Sequence, residues 1–217
     1  MKRLFPLLFL IASCFACAPM SVAPSEVRPA HVIMHGDKDF TPEERADILD
    51  AANIWRQQTG GLAQITIVWD LDFNSVSSLE LLKDESKLVR GDSQMKAVKD
   101  EDCASAESMG LPCIGLPVVL AWVDPGQGIH NFSGVNPNML IITDRMTSRK
   151  MLLEVTVHEM GHLLGVPHIN NDKAIMYPFT AGTRKTICLT EADLAGYCMA
   201  NGCGVVKLSP CEGEAYK

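Results

Sequence analysis

No apolar run near the start of this chain is long enough to cross a membrane as a stable helix. The most hydrophobic stretch, Leu4 to Ala12, is interrupted by Pro6 and falls well short of the ~20 residues a spanning helix needs. Cysteines are present but not in metal-binding order. The six that follow Ala18 contain no Cys-x-x-Cys pair and no four-cysteine zinc spacing, which sets aside dithiol redox chemistry and cysteine-based zinc modules. Basic runs are missing as well. Nineteen Lys and Arg stand against 26 Asp and Glu, a formal charge of −7, and such a surface repels nucleic acid and anionic membrane. No internal repeat or low-complexity tract interrupts the chain.

What is present begins with an export signal. Lys2 and Arg3 precede the apolar run, and Ala16-Cys17-Ala18 supplies a small-residue cleavage pattern. A second ending stays open, because Ile11-Ala12-Ser13-Cys14 resembles the lipobox of bacterial lipoproteins, in which the cysteine becomes the lipidated first residue. The expectation is a secreted or extracytoplasmic protein or, alternatively, a membrane-anchored lipoprotein with its lipid anchor at Cys14. Losing Lys2 and Arg3 with the signal takes the formal charge from −7 to −9 (−7 − 2). Cys103, Cys113, Cys188, Cys198, Cys203 and Cys211 then form an even set suited to disulfides in an oxidising compartment. Cys103 with Cys113 would close a short loop, and the other four crowd the C-terminal end. The remaining length suits one domain with a real core.

After a Pro-, Ser- and Ala-rich arm over 19–30, the segment from Ala30 to His35 reads as a first strand. Thr41, Pro42 and Glu44 spell a helix start with a capping box; Ile48, Leu49, Ala52 and Trp55 supply an apolar stripe, and Gly60-Gly61 ends it. Ala63 to Leu71 alternates and is rich in β-branched residues, a second strand. Farther on, Leu79 to Leu82 suggests a short helix, Lys87 to Gly91 a strand or sheet edge, Leu116 to Asp124 a buried strand, and Asn138 to Asp144 another. Arg149 to Leu164 has the pattern of a long buried helix, and Thr190 with Asp193 opens a last helix that Gly202 stops. The expected class is α/β (α+β): a twisted mixed sheet, a first helix packed on it, a second helix behind the same sheet, and a small, mostly irregular C-terminal part with one helix, the cleft running between the two parts.

The long helix carries the chemistry. His158 and His162 are four residues apart, so both imidazoles lie on one helix face, one turn apart. Two such rings can share a Zn²⁺ at ~2.0–2.1 Å. Glu159 stands beside the first ligand, where a carboxylate can hold a water and take its proton as that water attacks a carbonyl. A catalytic zinc wants a third protein ligand and an open position. His168 can supply it if the chain turns sharply, and Gly165 and Pro167 are the residues for such a turn. His-Glu-x-x-His alone recurs by chance, but Gly165 and His168 at fixed offsets make the pattern specific. His31 and His35, four residues apart in a strand, are separated by ~13 Å and cannot share an ion; with His130 they read as surface or packing residues.

His158 to His168 matches the His-Glu-x-x-His-x-x-Gly-x-x-His signature of metzincin metalloproteases, and Ala174 to Pro178, AIMYP, looks like their Met-turn. Spacing, turn and the segment LTEADLAGY are most similar to the matrix metalloproteases, the matrixins. The resemblance implies a metzincin-like zincin fold and zinc-dependent endopeptidase activity on extended polypeptides, with Met176 beneath the zinc-bound imidazoles, Leu163 and Tyr177 at a substrate-pocket wall, and a peptide paired along an exposed edge strand, for which Gly128 to Gly134 is the choice. Two departures stand out. A cysteine-switch motif is missing, and no histidine and aspartate pattern for a structural zinc or calcium is recognisable between Leu71 and Met146, so one catalytic Zn²⁺ is assigned and calcium is left without ligands. The expected division is a signal over 1–18, a flexible arm over 19–30, a catalytic domain over 31–203 and a cysteine-stapled tail over 204–217. The rival function is an exported, non-catalytic binding or adhesion module on the same scaffold.

Overall fold

The protein is described from a computed structural model, which covers residues 30–72, 86–93, 120–124, 138–178, 184–203 and 208–210. The export signal with its alternative ending at Cys14, the helix expected over 79–82, the Cys103–Cys113 loop and the edge segment 128–134 lie outside the described residues.

Among the described residues five strands make one mixed sheet in the order β2-β1-β3-β5-β4. β1 (Ala30–Asp37) pairs parallel with both β2 (Ala63–Leu71) and β3 (Ser86–Gly91), β3 pairs parallel with β5 (Asn138–Ile142), and β4 (Ala121–Asp124) alone runs antiparallel, against β5. The expected mixed sheet is therefore present, with two adjustments. Lys87 to Gly91 belongs to the middle strand of the five rather than an edge. The stretch ending at Asp124 reads as a buried strand; its described part, β4, instead borders the described sheet, with Ala121 and Val123 only half-buried. A run such as Leu-Pro-Val-Val-Leu-Ala-Trp-Val is apolar enough for either place, and only strand order decides.

Helix α1 (Pro42–Gln58) starts as its residues dictate: the Thr41 hydroxyl accepts from the Glu44 amide at 3.2 Å, and the Glu44 carboxylate accepts from the Thr41 amide at 2.8 Å. It ends in a Schellman arrangement, with Gly61 N–H donating to Arg56 C=O at 2.7 Å and Gly60 N–H to Gln57 C=O at 3.1 Å, both glycines at positive φ. Its buried face is Asp47, Ile48, Ala51, Ala52, Ile54 and Trp55. Leu49, expected in the stripe, is 41% exposed. At 3.6 residues per turn it lies roughly 140° from the middle of that face.

Helix α2 (Arg149–Leu163) packs on α1 and on β4 and β5. Arg149 grips buried Asp47 of α1 with two hydrogen bonds, and the Trp55 indole N–H donates 2.8 Å to the Val157 carbonyl in the middle of α2. The C-terminal part shares one continuous hydrophobic core with the sheet and its helices. Leu164, Val166, Ile175, Met176, Ile187, Leu189, Leu194 and Tyr197 join the cluster that holds Met34, Ile48, Trp55 and Ile141. Helix α3 (Glu191–Asn201) is capped by the foreseen Thr190/Asp193 box and stopped at Gly202, φ 73°. Cys198, near the end of this helix, forms a disulfide with Cys203, just beyond it.

Candidate metal centre and active site

Ser148 caps α2 by accepting from the Met151 amide, and eleven of the helix's fifteen residues are buried, including His158 and Glu159. The histidine-bearing end is closed by a Schellman motif. Val166 N–H donates to Gly161 C=O at 2.9 Å and Gly165 N–H to His162 C=O at 2.9 Å, with Gly165 at φ 79°. This reversal, expected from Gly165, brings His168 back over the helix. The result is a triangle of imidazoles with ring centroids 4.7 to 5.3 Å apart.

One ligand-type atom from each of His158, His162 and His168 lies within 4.8 Å of the other two, the one such cluster of three among the described residues. His158 Nδ1 meets the Ile175 carbonyl at 2.7 Å, and His162 Nδ1 meets the Val166 carbonyl at 2.8 Å. A carbonyl only accepts, so each ring carries its proton on Nδ1 and presents a bare Nε2. The lone pair of His162 Nε2 then faces His168 Nε2 at 3.2 Å, close to the ~3.3 Å between tetrahedral ligands that are each ~2.0–2.1 Å from zinc. A shared cation resolves the opposition of these nitrogens. The donor set, three neutral imidazoles with no thiolate, fits Zn²⁺.

Electrostatics agree with that fit. Burial lowers the His158 pKa to about 4, against the raising effect of its bond to Ile175, and the charges of His162, His168 and Arg184 push the same way as burial. His162 and His168 are also held below the ordinary histidine value, by burial first. All three are thus neutral ligands near neutral pH. Glu159 is buried, and that burial alone pushes its carboxyl up to about 8. Its Oε2 has no hydrogen-bond partner among the described residues, an orphaned acceptor that a water or cation at the triangle would satisfy.

The segment Ala174 to Pro178, which resembles a Met-turn, packs against helix α2. Tyr177 N–H donates to Ala174 C=O, and Ile169 N–H, one residue past His168, donates 2.8 Å to Met176 C=O. Met176 is fully buried, its side chain against Gly161 between the two helical histidines, so near that a Cβ at Gly161 would overlap its sulfur. Leu163 is buried in the main core and Tyr177 is half-buried.

Two supports gave no functional signal in the sequence. Asp193, legible as a helix cap, also accepts from the Ile175 and Met176 amides at 3.0 and 2.9 Å. Arg184 joins Glu154 of α2 to the carbonyls of Lys173 and Ala174; a lone arginine in a loop has no local pattern that announces such partners.

The family model for the matrixins matches residues 29–199. Among curated proteins the chain is similar to karilysin of Tannerella forsythia, 44% identical over 50 residues, and to metalloendoproteinases 1-MMP and 2-MMP of Arabidopsis thaliana, 44% over 45 and 46% over 52 residues. Those segments cover 21%, 21% and 24% of this chain but span only 11%, 12% and 14% of the relatives' own lengths. Among solved structures it is similar to metalloproteinase-II from Bacteroides fragilis, with TM-score 0.48 and 13% identity over 82% of this chain and 55% of that one. It is also similar to an archaemetzincin from Methanopyrus kandleri, with TM-score 0.46 and 14% identity over 82% and 98%.

Proposed function

The chain belongs to the matrixin family, and from that premise we propose that it is a zinc-dependent endopeptidase acting on extended polypeptides. The observation that carries the reading is the triangle of His158, His162 and His168 with the unpartnered carboxylate oxygen of Glu159 beside it. When bound, zinc would supply Lewis acidity at the scissile carbonyl and the attacking water, and its charge would favour the carboxylate form of Glu159.

In this reading His158 and His162 act as ligands through Nε2, held in that tautomer by the Ile175 and Val166 carbonyls, and His168 completes the set. Glu159 takes a proton from the water as its oxygen bonds to the carbonyl carbon. It then returns that proton to the amide nitrogen as the C–N bond breaks, leaving a carboxylic acid and an amine. Met176 keeps the imidazoles in place by filling the space under Gly161. Leu163 and Tyr177 are assigned to the pocket wall on the family resemblance. The substrate edge is assigned to β4, the antiparallel border of the described sheet and a neighbour of α2. Main-chain pairing there would favour extended peptides with modest side-chain selectivity.

The catalytic unit is assigned to 31–203. Export is favoured by the N-terminal sequence, secretion and a lipid anchor at Cys14 standing as alternatives, and among the described residues no helix is long and apolar enough to cross a membrane. The acidic balance argues against nucleic-acid partners. The test is a diverse peptide library with mass-spectrometric readout, run with zinc on the wild-type and Glu159→Ala chains. Cleavage by the first and none by a zinc-loaded second is expected. Retained cleavage by pure, metal-loaded E159A would remove the general-base role, and no cleavage by either would favour the non-catalytic binding module.

A further inference from the structure

Lys150, Glu154, His158 and His162 follow at steps of four along α2, so they form one stripe on its surface. The last two belong to the histidine triangle. The first two hold Arg184 and Lys185: Lys150 Nζ donates to Lys185 C=O at 3.1 Å, and Arg184 Nε donates to Glu154 Oε1 at 2.8 Å. The pair is removed from water, the Glu154 and Arg184 side chains being 1% and 15% exposed. From the same guanidinium, Nη1 donates to Lys173 C=O at 2.7 Å and Nη2 to Ala174 C=O at 2.5 Å.

The next two peptide groups decide what this fork does. The peptide joining Ala174 to Ile175 is bound at both polar ends, its oxygen by Arg184 and its N–H by Asp193. The peptide joining Ile175 to Met176 is bound likewise, its N–H by Asp193 and its oxygen by His158 Nδ1. A planar peptide fixed at both ends has no freedom to rotate. The Ala174 oxygen also accepts from the Tyr177 amide, at a longer 3.3 Å, so Arg184 supplies its shorter contact. Without it the first peptide is held more loosely, and the second, joined to it and carrying the acceptor that sets the His158 ring, is held less firmly.

We propose that Arg184, anchored on Glu154, is a positioning residue for the metal centre: it fixes the 173–175 backbone and so the Ile175 carbonyl, the His158 tautomer and the direction of His158 Nε2. This rests on the zinc reading given above. A simple stabilising pair is the competing account, and it is weak on energetic grounds, since a buried ion pair often gives way to apolar residues without loss of stability. What apolar residues or a lysine cannot reproduce is a planar fork serving one carboxylate and two carbonyls at once.

The experiment uses the full chain as wild type, Arg184→Lys and the double variant E154L/R184L. Zinc affinity is measured by competition with a chromophoric chelator, the His158 tautomer by ¹⁵N NMR of the imidazoles, and unfolding by heat. Removal of an outer hydrogen-bonding partner typically weakens metal affinity ~10–100-fold; about 10-fold is expected in both variants, with mixed Nδ1-H and Nε2-H forms of His158, while E154L/R184L melts near wild type. Wild-type affinity and tautomer in the folded variants would overturn the proposal, as would losses of affinity that merely track melting temperature across the set. Failure of the wild-type chain to bind one zinc through the histidines would instead sink the zinc reading, and the proposal with it.

Discussion

Adding one methyl group at Gly161 sets two known effects against each other. Gly161 lies inside α2 without a positive φ, so Gly161→Ala should gain ~1 kcal/mol from reduced backbone freedom and better helix propensity. Against this, the new Cβ would overlap Met176 Sδ and stand 2.9 Å from both Met176 Cε and Trp55 Cζ2, where ordinary carbon contacts are ~3.5–4.0 Å. Met176 can change rotamer, but it is fully buried, and the Trp55 ring is tethered by its 2.8 Å bond to the Val157 carbonyl. Overpacking of this kind costs about 1–3 kcal/mol, and with two confined neighbours the upper half applies. A net loss of about 1–2 kcal/mol is expected, measured by urea unfolding of the metal-free chain. Met176→Ala alone should cost about 2–5 kcal/mol by leaving a cavity. In the double variant the alanine methyl occupies part of that space, so the two losses should fall short of additive by about 1–2 kcal/mol. G161A as stable as wild type, or strict additivity in the cycle, would refute the tight contact between helix and Met-turn.

Burial keeps Glu159 protonated in the metal-free fold up to about pH 8, while the unfolded chain ionises near 4.5, so the unfolded state binds fewer protons and stability falls as pH rises between those values. The lowered histidines contribute the opposite slope only below about 6.5. From pH 6.5 to 8 the metal-free chain should therefore lose about 2 kcal/mol, a slope that Glu159→Gln abolishes; a flat wild-type profile in chemical denaturation would contradict the buried, unpaired carboxyl. Asp193→Ala removes four acceptor contacts at once, to Ile175, Met176 and both donors of Thr190, and should cost about 3 kcal/mol or more together with zinc affinity; a loss below 1 kcal/mol with zinc retained would rule out the second role of the cap. The Cys198–Cys203 disulfide closes a short loop at the end of α3, so C198S/C203S should lose no more than about 2 kcal/mol and keep zinc. Zinc loss on this change would mean that the disulfide supports the site directly.

The local grammar of the sequence was enough for every element whose ends are written in residues that act on their own backbone. Thr41 with Glu44 and Thr190 with Asp193 form their boxes whatever surrounds them, and Gly60, Gly165 and Gly202 take the positive φ that stops each helix. The zinc site was legible for the same reason. Two ligands lie on one helical turn and the third follows a glycine-led reversal, so all three fall within eleven residues and need little from the rest of the fold.

Everything that depends on distant partners had to wait for tertiary structure. Hydrophobicity could not say that Lys87 to Gly91 runs through the middle of the described sheet while Ala121 to Asp124 borders it, because an apolar run suits a strand covered on both sides or one covered on one. Nor could it tell Leu49 from Ile48, since which side of α1 is buried is set by where α2 and the sheet lie. The orientation of the ligands belongs to the same class. His158 is aimed by the carbonyl of Ile175, seventeen residues on; that peptide is held by Asp193, and the peptide before it by Asp193 and Arg184, from still farther along. A sequence specifies such contacts only through the whole fold, because a hydrogen bond between residues remote in the chain exists only once packing has brought their backbones together.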